Sequence, residues 1–183
     1  MIKAEKKYNL TEQPNSGGFT LIELLVAMAV FSVVMITVSD IFLTGLGGTQ
    51  RIFGSQAAQE SGRFIMESTA KEIRMSVLNT LDGAAYSSLP DGTSGPYYSL
   101  NITNANGQIV DYAFNNVAEQ VSRASEVLNP NDIEATGKFY VTKNGSLQPR
   151  VTVVLDLINK SAKVKNQAAI NLQTTVSSRD YAP

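Results

Sequence analysis

The run Phe19–Val38 restricts this chain more than any other stretch. It is apolar except for Thr20, Glu23, Ser32 and Thr37. About twenty helical residues at 1.5 Å each span about 30 Å, the thickness of a bilayer core. A stretch of that length is a membrane-spanning helix or the anchor of an exported domain. Glu23, five residues in, is costly there: insertion scales put an acid near a helix centre at roughly 2.5–3.5 kcal/mol. Such a charge needs either a partner or an escape to the headgroups by snorkelling.

Residues 1–18 form a polar leader in which Lys3, Lys6 and Lys7 outweigh Glu5 and Glu12, ending in the breaker cluster Pro14-Asn15-Ser16-Gly17-Gly18. The first basic residue after the apolar run is Arg51. The positive-inside rule then puts the amino terminus in the cytoplasm and the carboxyl domain outside. A secretory signal peptide is a poor fit. Its apolar region is shorter, and the small-residue triplet Ala27-Met28-Ala29 falls in the middle of this run. A plain signal anchor explains the length and the lysines but neither Glu23 nor the abrupt glycine junction. A third reading is that Gly18–Phe19 is itself a cleavage site, on the cytoplasmic side, before the apolar run.

The residues "GGFTLIELLVAMAVF" resemble the leader junction of type IV pilins and type II secretion pseudopilins. Gly18, Phe19, Thr20, Leu21, Ile22 and Glu23 fill the family pattern without a departure. The resemblance implies cleavage after Gly18 by a prepilin peptidase and N-methylation of the new Phe19 amine. It implies a filament in which Glu23 of one subunit meets the Phe19 amine of another. Its expected partners are other pilins or pseudopilins, the prepilin peptidase, an inner-membrane assembly platform and, before assembly, membrane lipid. The implied location is a single-pass membrane protein with an extracytoplasmic head, later a filament. Such a protein is not an enzyme and carries no cofactor.

Inventory points the same way. The 183 residues contain no Cys and no His, which removes thiolate and imidazole metal sites and the Ser-His-Asp class of hydrolase. A net charge of −1 gives no indication of nucleic-acid binding.

The expected organisation is a leader over 1–18, a transmembrane and filament-core helix over 19–42, and an α+β head over 43–183. Gly45, Gly47 and Gly48 predict a softened helix or a break between an anchor helix and a separate amphipathic one. Helical spacing resumes over 50–81, where Met66, Ala70, Ile73, Val77 and Leu81 form a core stripe and Glu67 and Lys71 stand at i, i+4. Asp82–Gly95 reads as loop. Strands follow at Tyr98–Ile102, Ile109–Phe114, Lys138–Thr142, Val151–Ile158 and Ile170–Val176, with hairpin turns at Asn106-Gly107 and Asn144-Gly145. One long helix and about six antiparallel strands make an α+β domain.

The head offers weaker candidates. Asp111, Glu119, Glu126, Asp132, Glu134 and Asp156 form no oriented carboxylate pair. Asn129, Asn131, Asp132 and Glu134 cluster oxygen ligands that suit calcium, but the same residues make a polar turn around Pro130. Asn101-Ile102-Thr103 and Asn144-Gly145-Ser146 match the glycosylation triplet, a frequent chance pattern. Tyr97, Tyr98, Tyr112 and Tyr140 suit stacking on a ligand or packing in strands. "LNPNDIEATGKFYV", "QPRVTVVLDLIN" and "INLQTTVSSRDY" are similar to the carboxyl half of J-type minor pseudopilins and related minor pilins. That likeness favours a minor subunit. The other function class is a membrane-anchored binding module, an adhesin or DNA-uptake tip subunit.

Overall fold

The computed structural model describes residues 17–145, 147–160 and 167–178. The leader as far as Ser16, Ser146 of the second glycosylation triplet and Arg179-Asp180-Tyr181 lie outside the described residues. The fold is α+β. Among the described residues one helix, α1 (Leu21–Arg74), precedes ten strands in two antiparallel sheets. By contact the chain forms two compact units, Met1–Thr44 and Gly45–Pro183.

The first unit carries the apolar half of α1, and no residue of its most apolar stretch is buried. Ser32, Thr37 and Ser39 return their hydroxyls to the carbonyls of Met28, Val34 and Met35, at 2.7–2.8 Å. Their hydrogen bonds are thus satisfied inside the helix, as an apolar solvent demands. Of the two readings of the glycines, a softened helix or a break, the break does not occur. Gly45, Gly47 and Gly48 all lie within α1. Each costs about 1 kcal/mol relative to Ala, but helix propagates cooperatively from the long runs on either side.

In the second unit α1 buries Ala58, Gly62, Ile65, Met66, Thr69 and Ile73. The predicted stripe is right at Met66 and Ile73 and half-buried at Ala70, but the helix stops at Arg74, not near residue 81. Its last turn tightens through Met75 N–H to Glu72 O and Ser76 N–H to Ile73 O, and the Ser76 hydroxyl also donates to Glu72 O. Val77 and Leu81 therefore sit in strand β1 (Val77–Leu81), where Leu81 is fully buried and Val77 is exposed. Nor does Glu67 pair with Lys71. It takes Arg63 instead, at 2.7 Å.

The larger sheet has the order β2-β1-β4-β5-β6-β7, with β2 at Ala84–Ala85, β4 at Ser99–Thr103, β5 at Ile109–Asn115, β6 at Gln120–Arg123 and β7 at Glu126–Val127. The Asn106-Gly107 turn joins β4 to β5 as the sequence predicts. Gly107 has φ 76°, and the Asn104 side chain accepts from Asn106 and Gln108 N–H at 3.0 Å. The smaller sheet runs β10-β9-β8-β3, with β3 at Pro96–Tyr97, β8 at Ile133–Thr142, β9 at Arg150–Asn159 and β10 at Ala169–Ser177. Strand β8 starts five residues before the predicted Lys138, and Tyr98 is an exposed residue between β3 and β4. The stretch predicted as loop after Asp82 also holds β2 and a short 3-10 turn, Tyr86–Ser88.

Alternation in β9 is as read: Val151, Val153, Leu155 and Leu157 are all at most 1% exposed. Leu157 lies close to α1. A Cβ on Gly62 would stand 2.4 Å from Leu157 Cδ1 and 2.5 Å from Leu172 Cδ1, so a side chain there would force these leucine methyls to move. Phe114 of the larger sheet lies with its ring centroid 4.8 Å from that of Phe139 in the smaller, and its ring occupies the space where Gly137 lacks a side chain. The two sheets share one core.

Candidate functional site: the amino-terminal end of the helix

Thr20 and Glu23 set the start of α1 together. Thr20 precedes the first helical residue, Leu21. Its hydroxyl accepts from Glu23 N–H at 3.3 Å, and the Glu23 carboxylate reaches back to Thr20 N–H at 3.5 Å. This is a reciprocal capping box. It satisfies two of the four N–H groups that a helix start leaves open, and it places a negative charge at the positive end of the helix dipole. The sequence signal was present in Thr20-Leu21-Ile22-Glu23, a Thr followed three residues later by Glu before an apolar run. Among the described residues Glu23 has no ion-pair partner.

Among the described residues nothing packs on the flanking positions. Phe19 is 86% exposed, and a Cβ on Gly17 or Gly18 would meet no atom within 4 Å. Neither glycine has a positive φ. The fold therefore does not require glycine at this junction. Beyond it Leu21, Ile22, Leu24, Leu25, Val26, Met28, Val30 and Phe31 are all more than half exposed. Full burial of one such side chain is worth about 1.5–3 kcal/mol, so this face is built for a medium other than water.

The other candidates resolve into structure. Asn129 is buried. Its carbonyl accepts Val121 N–H at 2.9 Å, and its amide donates to Ile133 O at 2.7 Å and Glu119 O at 3.3 Å. The Asn129-Pro130-Asn131-Asp132 segment is thus a folded turn leading into β8, with Lys160 N–H on Asp132 O and the Lys160 ammonium 3.9 Å from Glu134. Among the described residues no three acids gather as a metal cluster would need. Tyr112 is a core residue, and Tyr97 packs half-buried against the core. Lys143, in the depression beside Tyr86 and Leu147, is taken up by the carbonyls of Ser87 and Leu89 at 2.9 and 2.7 Å.

Sequence reasoning missed one polar cluster in the head. Glu72, in the last turn of α1, receives Arg123 Nη2 and Nε at 2.7 and 2.8 Å, Tyr112 Oη at 2.5 Å and Asn104 Nδ2 at 3.3 Å. Hydrogen bonding to Arg123, against the opposing effect of burial, holds the Glu72 carboxyl at about 2. Burial and the Glu72 charge push the Tyr112 phenol up. Both carboxylate oxygens of Glu72 are engaged, so the cluster ties the helix end to the larger sheet.

Residues 13–39 match the family model described as the prokaryotic N-terminal methylation motif. No curated protein and no solved structure matches the chain.

Proposed function

We propose that the chain is a prepilin-type subunit of a type IV filament system, a minor pilin or minor pseudopilin. The observation that carries this reading is the methylation motif over 13–39, lying across a glycine junction that the fold does not need and an apolar helix that the chain does not cover. Cleavage after Gly18 frees the Phe19 amine, and methylation retains its positive charge. The helix holds the chain in the membrane with its head outside, and a neighbouring subunit then offers its Phe19 amine to Glu23. Two charges that are each expensive in lipid share one desolvation cost, and the pair favours one axial register. The work is structural rather than enzymatic. The prepilin peptidase, the assembly platform and the other subunits are its partners.

Co-expression with a prepilin peptidase tests this. The mature chain should begin at Phe19 by amino-terminal sequencing and carry one added methyl group by mass. A mature chain beginning after Ala29, or one left uncut, would overturn the reading.

A further inference from the structure

The outer side of α1 in the head unit is not the polar face expected of a surface helix. Phe53 is 65% exposed and Phe64 61% exposed. They are eleven residues apart, a turn of about 1100°, which is only about 20° beyond three whole turns. Both therefore lie on one line along the helix, opposite the side that buries Ala58, Gly62, Met66, Thr69 and Ile73. Glu60 and Lys71 are on the same line, exposed, again eleven residues apart and of opposite charge. Among the described residues neither is ion-paired, since Arg63, the cation near Glu60, is held by Glu67, the acid near Lys71. The strip thus repeats once: a phenylalanine and a charge, then a phenylalanine and the opposite charge.

We propose that this strip docks on the same strip of a second copy of the chain, parallel to it and displaced by eleven residues, about 16.5 Å along the helix, a neighbour other than the one whose Phe19 amine meets Glu23 at a displacement of about four residues. The charges select that arrangement. With the displacement, Phe53 of one copy meets Phe64 of the other and Glu60 meets Lys71. In register, Glu60 would face Glu60 and Lys71 would face Lys71. Antiparallel strips can match the phenylalanines but leave both charges without a partner. Parallel orientation rests on the filament reading above, which anchors every copy in one membrane with its head on one side. Helices 8–10 Å apart would exclude water from both aromatic contacts. The sequence keeps the same interval before the strip, at Phe31 and Phe42.

The chain has no cysteine, so disulfide mapping is clean in the full-length protein. Two differently tagged copies are co-expressed in membranes with a prepilin peptidase and oxidised. A Glu60→Cys copy with a Lys71→Cys copy should give a mixed dimer, and so should Phe53→Cys with Phe64→Cys. Either variant alone should give little. In otherwise cysteine-free chains bearing the phenylalanine pair, Glu60→Lys should lower the mixed dimer about two- to fivefold, and Glu60→Lys with Lys71→Glu should restore it. Crosslinking within single variants would establish an in-register pair and overturn the proposal. So would a phenylalanine crosslink without the Glu60/Lys71 one, which marks antiparallel strips. No disulfide, with both phenylalanine positions labelled from the lipid phase, would assign the strip to lipid and overturn it too. Removal of residues 1–18, scored on the same blots, reports the prepilin reading separately.

Discussion

Arg123 holds Glu72 with two nitrogens, Nη2 on one carboxylate oxygen at 2.7 Å and Nε on the other at 2.8 Å. The pair joins the last turn of α1 to strand β6, and Tyr112 closes it from β5. Its side chains are 18% exposed at Glu72 and 38% at Arg123, so it is neither a dry ion pair nor a freely solvated one.

The pair makes head stability depend on acid. The Glu72 carboxyl is lowered from an ordinary 4.5 to about 2, so its contribution is complete above pH 4.5 and is lost as pH falls from 4.5 towards 2. Allowing for the solvent that reaches Arg123, the contribution is about 1–2 kcal/mol. Glu72→Gln should lower the melting temperature of the full chain in detergent by roughly 3–6 °C at pH 7. Near pH 2 the difference from wild type should largely vanish. An offset that does not change between pH 7 and pH 2 would mean that the carboxylate charge is immaterial there.

Glycine positions should divide by what surrounds them. Gly62→Val drives a side chain into Leu157 and Leu172 and should cost about 1–3 kcal/mol, read as a lower denaturation midpoint. Gly48→Ala adds a methyl group where nothing stands within 4 Å and should stabilise α1 by up to about 1 kcal/mol. Equal effects at the two positions would contradict the helix-to-sheet approach described above.

Asn129 offers a test of the turn before β8. Asn129→Ala leaves Val121 N–H and Ile133 O without the partners they now have and should cost about 1–3 kcal/mol. Since the amide is engaged with backbone, millimolar calcium should leave the melting temperature of the wild-type chain unchanged. A rise of several degrees would show that the turn rearranges to bind the ion.

Local patterns in the sequence were the legible ones. The alternation of β9, the Asn106-Gly107 hairpin and the helical spacing of Met66 and Ile73 each depend on residues close in the chain. The end of α1 was not legible, because Val77 and Leu81 continue the helical spacing while their β-branched and leucine side chains suit a strand equally well. What decides it is pairing with β4, from Val77 on Thr103 to Leu81 on Leu100, which no local period encodes. The short strands β2, β3 and β7 have two residues each and no period to detect. Glu72 and Arg123 lie fifty-one residues apart, and no local rule links them. At the amino-terminal end of α1 the structure adds one relationship to the sequence pattern: Glu23 completes the cap that Thr20 begins.

That relationship sharpens the test of Glu23, because capping and pairing make different demands. A cap needs a side-chain acceptor and accepts Gln in place of Glu, whereas pairing with a cationic amine needs the charge. Thr20→Ala should therefore weaken the helix start by about 1 kcal/mol, visible as faster amide exchange over residues 21–24, while filament incorporation persists. Glu23→Gln should do the reverse, keeping the exchange protection and losing incorporation, since the incoming amine would be buried without a counter-charge at a cost of about 3–5 kcal/mol. Membrane levels of Glu23→Gln should equal or exceed wild type, because insertion of the helix becomes easier without the acid. Crosslinking to partner subunits, run beside a membrane-fraction blot, measures incorporation. If Thr20→Ala abolishes assembly and Glu23→Gln preserves it, Glu23 serves the helix start alone, and the pairing with Phe19 is wrong.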